Sequence, residues 1–331
     1  MNTVLGKTDY MLSDRIIAVP FAFDKKKKTG VNVNSDNPQE IYFKNACVAC
    51  VSAKHYNPDC DVVFVTNIDT ENIPAEYKNI LEDKNIKILT IPYDRFLFPD
   101  EYNWGLAFYK LCVLSHLIEM EYQYLCYMDC DVWVQHSFEP IWEECTENIM
   151  LYDINHGLQV HDYRTLDLAI SSFNDKIHHV THFGGEFFAA DRTRAEAFCR
   201  GCMDIYKRMI RESFYTNNGD EFIISLAANN MRQSIKNAGA YIYRFWTDPQ
   251  FYLVSTCYEY NPVCVLHLPS EKNRGIIRLY EQYIVKGKIP DTKKVWKICK
   301  LYSFGINVRR KKVGRLIGSK AKKIINKLLN S

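Results

Sequence analysis

The stretch YLCYMDCDVWV, residues 124–134, sets two aspartates into an otherwise apolar run. Its first five residues have the length and composition of a buried strand. Asp129 and Asp131 follow directly, and because alternate side chains of an extended chain share a face, both carboxylates are expected to point the same way. Open α/β sheets bind ligands at the carboxyl ends of their strands, so the pair predicts a binding site at that edge.

The chemistry of the pair predicts a metal. Two neighbouring carboxylates repel each other and are costly to remove from water, and a divalent cation would relieve both problems. Hard oxygen ligands suit Mn²⁺ or Mg²⁺, which also bind phosphate oxygens. We therefore expect Asp129 and Asp131 to hold such a metal, and the metal to hold a diphosphate. An Asp-x-Asp pattern is common in solvated loops, and its place behind an apolar strand is what favours function.

The rest of the chain alternates between strand-like and helix-like patterns. Strands are predicted within residues 15–23, 58–67, 86–92, 123–128 and 263–269, and helices at 39–56, 75–85, 104–120, 194–211 and from Asp220. Such alternation is typical of βαβ units, and near-continuous apolar strands are typical of a sheet covered on both faces. The sequence thus predicts a Rossmann-like α/β fold with a mainly parallel sheet flanked by helices.

The composition indicates a globular protein from a reducing compartment. Of its 331 residues, 47% are hydrophobic, which is enough for a large core. Twelve cysteines are present, many inside apolar runs, where free cysteine packs as a small hydrophobe. The CxxC pairs Cys47/Cys50 and Cys199/Cys202 fall in helix-like segments far apart, so packing is favoured over zinc or redox use. The absence of a signal-peptide pattern or a membrane-spanning apolar run predicts a cytoplasmic protein.

The C-terminal residues have a charge pattern of their own. Residues 292–331 contain 13 lysines and arginines and no acidic residue, which leaves residues 1–291 with 29 basic against 39 acidic residues. From residue 312 onward, apolar and basic side chains separate onto two helix faces, as in helices that lie on an anionic membrane surface. We expect one domain at 1–291 and a membrane-associating tail at 292–331, peripheral on the inner face of a membrane. The alternative is a helix packed on the acidic body, and the scarcity of aromatics argues against nucleic acid.

Several segments together resemble the GT-A glycosyltransferases. Residues 124–134 resemble the Asp-x-Asp strand of that fold. Similarity to the glycogenin and lipooligosaccharide-galactosyltransferase type (family eight) covers NACVACVSAKHYNPDCDVVFVTN, AFYKLCVLSHL, FGGEFFAAD, NGDEFIISLA and HLPSEK. The resemblance spans roughly residues 15–275, with FGGEFFAAD in the place of a small-residue turn that is usually Asn-Ala-Gly in the family, and Ser270 where the family usually has glycine.

The resemblance implies an enzyme, a hexosyltransferase that uses a nucleotide-sugar donor. It implies a UDP-sugar as donor and a saccharide or lipid-linked glycan as acceptor, as in polysaccharide biosynthesis. By the same resemblance, His267 would be a third metal ligand, and Asp220 or Glu221 would lie beside the reacting carbon of the sugar. The resemblance and the chemistry of the side chains together predict a set of donor-binding residues. These are Asp24, Lys110, Asp129, Asp153, Gly184, Gly185 and Lys272.

Each of these residues also has a plainer interpretation. Lys110 on an apolar helix stripe can extend its ammonium group to water, and His267 at a strand end can be an ordinary core residue. Gly184 and Gly185 can mark a bulge or turn instead of a close approach to a sugar. Asp220 can cap a helix, and acidic residues such as Asp220 and Glu221 are favoured in a first helical turn.

The neighbouring histidines also have two interpretations. His182 and Glu186 flank the glycines and could touch a sugar. A zinc site at His178, His179 and His182 lacks a fourth ligand nearby in sequence.

Two other functional classes stay open on sequence grounds. A nucleotidyltransferase or phosphohydrolase can also use paired acids at a strand end, although the glycine-rich phosphate loops GxxxxGK[ST] and GxGxxG are absent. A non-catalytic scaffold that binds membrane or nucleic acid is supported by the basic tail. The intact Asp-x-Asp pattern, His267 and Lys272 oppose it.

Overall fold

The computed structural model describes residues 13–24, 37–155, 163–174, 180–247 and 262–301. The strands are β1 (Arg15–Phe21), β2 (Asp61–Thr66), β3 (Lys87–Thr90), β4 (Tyr124–Met128), β5 (Val132–Val134), β6 (Ile149–Asp153), β7 (Phe183–Asp191), β8 (Ile235–Asn237), β9 (Ile242–Arg244) and β10 (Val265–His267). The helices are α1 (Pro38–Tyr56), α2 (Ala75–Glu82), α3 (Tyr109–Leu117), α4 (Glu139–Cys145), α5 (Tyr163–Phe173), α6 (Arg192–Glu212), α7 (Asp220–Asn230), α8 (Gly275–Gln282) and α9 (Thr292–Ile298).

Seven strands form one sheet in the order β3-β2-β1-β4-β7-β6-β8. The first four strands of this order are parallel to one another, and β8 is parallel to β6. β7 is antiparallel to both β4 and β6, and it places Phe187 opposite Met128. Because β7 runs against β4, its first residues lie at the same edge as the carboxyl end of β4. This edge is where the residues after β4 emerge.

A second sheet of three strands, β5-β10-β9, begins just after the aspartate pair. β10 is antiparallel to β5, with His267 opposite Val132, and parallel to β9, with His267 beside Arg244. The backbone N–H of Leu268 donates to the carbonyl of Asp131 at 2.9 Å. The small sheet therefore brings Arg244 and His267 next to Asp131, at the edge of the large sheet.

Two apolar cores cover the large sheet, one on each face. Ile17 and Val19 belong to the core that includes residues of α1, α4 and α8. Ile16 and Ala18 belong to the core that includes residues of α3, α6 and α7. This alternation along β1 is what a strand buried on both faces requires. The predicted α/β architecture is confirmed.

The glycine pair lies at an irregularity of β7, as the bulge interpretation predicted. Gly184 and Gly185 do not form a turn, because β7 runs through both of them from Phe183 to Asp191. Between the pairs Leu151–Phe188 and Asp153–Phe183, β6 has only Tyr152 whereas β7 has residues 184–187, so the pairing irregularity places the extra residues on β7 and includes both glycines. What lies beside β7 adds a second reason for glycine at these positions.

Cysteine packing is confirmed as the principal use of this residue type. Every free cysteine among the described residues is buried. Both CxxC pairs lie on helices, Cys47 and Cys50 on α1 and Cys199 and Cys202 on α6. Burial raises the pKa of the Cys50 thiol well above its usual value, which keeps it in the neutral form.

The beginning of the predicted tail packs against the body of the protein. Asp291 caps α9 by accepting from the N–H of Lys294 at 3.0 Å. Trp296 of α9 is buried and donates through Nε1 to Oε1 of Gln135 at 2.9 Å. The amphipathic segment from residue 312 lies outside the described residues, and the domain boundary at 291/292 stays a prediction. None of the described helices has both the length and the apolarity needed to cross a membrane.

Candidate active site

A cavity of about 430 Å³ opens where the carboxyl ends of β1 and β4 meet the first residues of β7. Its walls bring together residues from the whole length of the chain. They include Phe21, Ala22, Tyr42, Trp104, Lys110, Asp129, Asp131, His182, Gly185, Glu186, Asn218, Asp220, Glu221, Arg244, His267 and Lys272. Most residues that the sequence marked for function therefore share one cavity.

The two aspartates of the opening stretch converge on this cavity. They lie between β4 and β5, with Asp131 1% exposed and Asp129 half-buried. Nζ of Lys110 lies 2.8 Å from Oδ1 of Asp129, and Nζ of Lys272 lies 3.2 Å from Oδ2 of Asp131. A metal is therefore not the only source of relief for their repulsion, because the chain supplies one lysine for each carboxylate.

His267 completes a group with the donor chemistry of a divalent-metal site. One ligand atom each from Asp129, Asp131 and His267 lie within 4.8 Å of one another. Two carboxylates and an imidazole suit Mn²⁺, and hard oxygen donors also suit Mg²⁺. The residues present therefore fit such an ion. His267 is 136 positions along the chain from Asp131, and it reaches the site because it ends β10.

Opposite charges set the ionisation of this group. Burial alone would raise the pKa of Asp131, but Lys272 and His267 outweigh it and hold that pKa well below its usual range. Burial alone would lower the pKa of His267, but Asp131 and Glu186 raise it to about 9. Burial also opposes the charge of Lys272, yet Asp131 raises the pKa of that ammonium group. The site thus holds charged side chains in a region from which water is largely excluded.

Asp129, Asp131 and His267 are called the metal-type group below. Lys110 links this group to the start of α7. Its Nζ lies 3.3 Å from Oδ2 of Asp220 as well as 2.8 Å from Asp129. Burial would lower the pKa of Lys110, but Asp129 and Asp220 together raise it well above its usual value. The snorkelling interpretation is therefore wrong, since the side chain is 13% exposed and ends in the cavity.

The acidic start of α7 contains two carboxylates in different settings. Gly219, at φ +58°, is the N-cap, so Asp220 does not cap the helix, but Asp220 and Glu221 both lie in its first turn, where acidic residues are favoured. Asp220 is buried, and burial raises its pKa to about 6 despite the nearby Lys110. Glu221 pairs with Nη2 of Arg244 at 2.9 Å and Nε2 of His182 at 2.8 Å. Burial would raise the pKa of Glu221, but Arg244 lowers it to about 2. Of the two candidates, Asp220 is the less tightly paired.

The space beside the two glycines is filled by charged side chains of the site. A Cβ on Gly185 would overlap the carboxylate of Asp220 and come within 3.1 Å of Nζ of Lys110. A Cβ on Gly184 would overlap the carboxylate of Glu186 and approach Nη2 of Arg244. Glycine is required here for side-chain packing, and a donor-binding role for either residue stays a prediction.

A buried charge network in the cavity wall was missed from the sequence. Arg244 forms two hydrogen bonds with Glu186, from Nε to Oε1 at 2.7 Å and from Nη2 to Oε2 at 2.6 Å. Glu186 and His182 were expected to touch a sugar. Glu186 is paired with Arg244, and His182 is paired with Glu221, so both already have partners within the protein. A contact with a sugar stays a prediction. Arg244 ends the short strand β9, whose sequence carries no motif that would have identified it.

Other predicted residues lie outside the cavity walls. Asp153, at the end of β6, accepts through Oδ1 from the N–H of Asn155 at 2.9 Å, and it does not line the cavity. Asp24 follows β1, two residues after Ala22, which does line the cavity. Donor-binding roles for both stay predictions. His178 and His179 lie outside the described residues.

Comparison with solved structures identifies the fold. No protein-family model matches the chain, and no curated protein matches its sequence. The structure of the galactosyltransferase LgtC, in complex with donor and acceptor sugar analogs, superposes with a TM-score of 0.53 at 13% identity. The match covers 86% of this chain and 99% of the LgtC chain. The chain has a GT-A-like fold, as the resemblance implied.

Two further structures match less closely. Mouse xyloside xylosyltransferase 1, in its apo form, has a TM-score of 0.49 at 12% identity, over 76% of this chain and 96% of its own. The apo form of glycosyltransferase GlyE from Streptococcus pneumoniae TIGR4 has a TM-score of 0.49 at 10% identity. That match covers 77% of this chain and 54% of the GlyE chain.

Proposed function

We propose that this chain is a metal-dependent glycosyltransferase. It moves a hexose from a nucleoside-diphosphate sugar, a UDP-sugar, to a saccharide or lipid-linked glycan. The observation that carries the proposal is the convergence of Asp129, Asp131, His267, Lys110 and Asp220 on one cavity at the carboxyl edge of a GT-A-like sheet. The likeness to LgtC, a galactosyltransferase in complex with donor and acceptor sugar analogs, supports the reaction class.

Asp129, Asp131 and His267 would hold Mn²⁺ or Mg²⁺. When bound, such an ion supplies Lewis-acid stabilisation of the diphosphate that leaves the sugar. The three side chains offer one imidazole nitrogen and carboxylate oxygens within 4.8 Å of one another. The pKa of Asp131 is held well below its usual range, mainly by Lys272 once burial is offset, so its ligand atom is already ionised at neutral pH.

The two lysines keep positive charge at the place where the diphosphate would separate. Lys110 and Lys272 approach the aspartate pair from different elements, α3 and the segment after β10. Nζ of Lys272 also lies 5.7 Å from the ring centroid of Tyr42, which helps to fix its direction. A preorganised ammonium group stabilises developing negative charge without reorganising during the reaction.

Asp220 is the residue proposed to act at the reacting carbon of the sugar. It shares the ammonium group of Lys110 with Asp129 and lines the same cavity, so it can face a sugar whose phosphates meet the metal. Its carboxylate can stabilise an oxocarbenium-like charge or accept the proton of the acceptor hydroxyl. Glu221 is held by Arg244 and His182, and it is proposed to shape the pocket around the same sugar.

The basic segment is proposed to bring the enzyme to its acceptor. The apolar and basic faces of residues 312–331 fit a helix on an anionic membrane surface, at about 1 kcal/mol per basic residue near that surface. A peripheral location on the inner face of a membrane would suit a lipid-linked glycan acceptor. Co-sedimentation with anionic vesicles tests this part.

The test of the reaction is release of nucleoside diphosphate from a panel of nucleotide sugars with Mn²⁺. We expect UDP to appear with one UDP-sugar, and Asp129→Ala to abolish it. Release of nucleoside monophosphate, or of pyrophosphate from a nucleoside triphosphate, would instead identify a phosphohydrolase or nucleotidyltransferase. Equal turnover by wild type and Asp129→Ala would reject the proposal.

A further inference from the structure

His267 lies between two carboxylates, one at each ring nitrogen. Nε2 is 3.2 Å from Oδ2 of Asp131, and Nδ1 is 3.2 Å from Oε1 of Glu186. Asp131 belongs to the metal-type group, whereas Glu186 comes from β7 and approaches the opposite side of the ring. The two nitrogens of this imidazole therefore have different surroundings and different chemical tasks.

A metal-ligating histidine needs one nitrogen free of its proton. In a neutral imidazole the proton sits on one nitrogen only, and the partner of that nitrogen fixes which one. Ligating histidines almost always donate the other N–H to a carboxylate, a carbonyl or a water, which also fixes the ring direction. Here a proton on Nδ1 can be donated to Glu186, which leaves Nε2 facing Asp131.

Glu186 is held more firmly than an ordinary side chain. It is fully buried, and Arg244 donates two hydrogen bonds to it in a fork. Such bidentate pairs fix direction as well as charge. The backbone carbonyl of Glu186 also accepts from the N–H of Asp129 at 2.9 Å. One residue thus touches the metal-type group twice, through its side chain at His267 and through its backbone at Asp129.

The neighbouring glycine is explained by this arrangement. A Cβ on residue 184 would overlap Oε2 of Glu186 and approach Nη2 of Arg244 and the side chain of Ile154. Gly184 therefore leaves room for the Glu186–Arg244 pair at the point where the pair supports His267. The φ angle of Gly184 is not positive, so glycine is needed at this position for space and not for a left-handed backbone conformation.

We propose that Glu186 is a positioning residue that accepts the Nδ1 proton of His267 and presents Nε2 to a divalent ion beside Asp129 and Asp131. The inference rests on the proposed metal-dependent function. It adds a residue that acts on the metal only through His267, with Arg244 as its clamp.

The test is the affinity of the purified full-length protein for Mn²⁺, measured by electron paramagnetic resonance of free Mn²⁺ without any substrate. We expect Glu186→Gln to weaken binding about 10- to 100-fold. Glu186→Asp keeps the negative charge for Arg244 but shortens the side chain by one methylene. It should weaken binding in the same direction, and it serves if the glutamine variant does not fold. The matched control is Glu221→Gln, which removes the other carboxylate from Arg244 without touching His267, and it should change affinity less than about 3-fold.

A double-mutant cycle separates positioning from general structural damage. If Glu186 acts through His267, Glu186→Gln should cost almost nothing further in a His267→Ala background. Equal losses in both backgrounds, or affinity unchanged in Glu186→Gln while Asp131→Asn abolishes binding, would overturn the role of Glu186 and leave the proposed function intact. Absence of Mn²⁺ binding by wild type would overturn both proposals.

Discussion

Nζ of Lys110 lies 2.8 Å from Oδ1 of Asp129, in a side chain that is only 13% exposed. The same ammonium group lies 3.3 Å from Asp220. One lysine on α3 therefore joins the carboxylate proposed to bind metal to the carboxylate proposed to act on the sugar. A buried cation shared by two acids holds both in place, and neither acid can move without changing the surroundings of the other.

Replacing Lys110 by methionine should impair both stability and catalysis. It leaves two acids without their shared cation, so we expect the free energy of unfolding to fall by about 1–3 kcal/mol. We expect kcat/KM to fall about 100-fold, because a preorganised charge near the diphosphate is lost. Urea denaturation and steady-state kinetics measure the two effects.

The matched control is Lys87→Met. Lys87 forms a pair of similar length with Asp61, 2.9 Å, at a partly buried position that does not line the cavity. Its loss should leave kcat/KM within about 2-fold of wild type. Equal catalytic losses in the two variants would show that Lys110 has only a structural role.

Alanine at position 185 should displace Asp220 and spare the fold. The new Cβ would overlap the Asp220 carboxylate, whose side chain has to move away from Lys110. We expect activity to fall more than 10-fold, since about 1 Å of misplacement at a reacting group is enough. The control is Gly201→Ala in α6, where the nearest atom to the new Cβ is 3.9 Å away. It should be active and slightly more stable, because alanine is favoured over glycine in a helix. Full activity in Gly185→Ala would contradict the placement of Asp220.

The stability of Asp220→Asn relative to wild type should depend on pH. Burial raises the Asp220 pKa to about 6 in the folded protein, against about 3.9 in an unfolded chain. The carboxyl group therefore contributes stability that is present below about pH 4 and is lost as pH rises through 6, by about 3 kcal/mol in all.

Asparagine does not titrate, so the variant should gain stability over wild type between pH 4.5 and 7.5 while losing its activity. Urea denaturation of the metal-free proteins at the two pH values measures the difference. A difference that stays constant with pH would show that Asp220 does not titrate in this range.

Two truncations should distinguish the packed and basic parts of the C-terminal segment. Val295, Trp296 and Cys299 are buried in the core, so removing residues 292–331 should destabilise the fold by several kcal/mol. Removing only residues 302–331 should leave the melting temperature near that of wild type and abolish association with anionic vesicles. Retained vesicle binding in the shorter truncation would reject the membrane role of that segment.

Local patterns in the sequence predicted the elements well, because each depends on neighbours along the chain. The helix predicted at 39–56 is Pro38–Tyr56, and the strand predicted at 123–128 is Tyr124–Met128. The Asp129/Asp131 pair could be placed at a strand end for the same reason. The cysteines could be assigned to the core from the apolar runs around them.

The features that sequence reasoning missed depend on contacts between distant segments. Glu186 and Arg244 are 58 positions apart, and the second meets the first only because β9 joins the small sheet beside β10. The antiparallel insertion of β7 between β4 and β6 has no local signal either.

The most direct test is the melting temperature with UDP and Mn²⁺, separately and together, for wild type and Asp131→Asn. If the cavity binds the diphosphate through a metal, the two ligands together should raise the melting temperature of wild type by several degrees. Ligand at 100 times its dissociation constant adds about 2.7 kcal/mol, and 1 kcal/mol corresponds to about 2–4 °C in a large domain. Each ligand alone should do much less, and Asp131→Asn should show no joint effect. An equal shift in both proteins, or none in wild type, would contradict a metal-held nucleoside diphosphate at Asp129, Asp131 and His267.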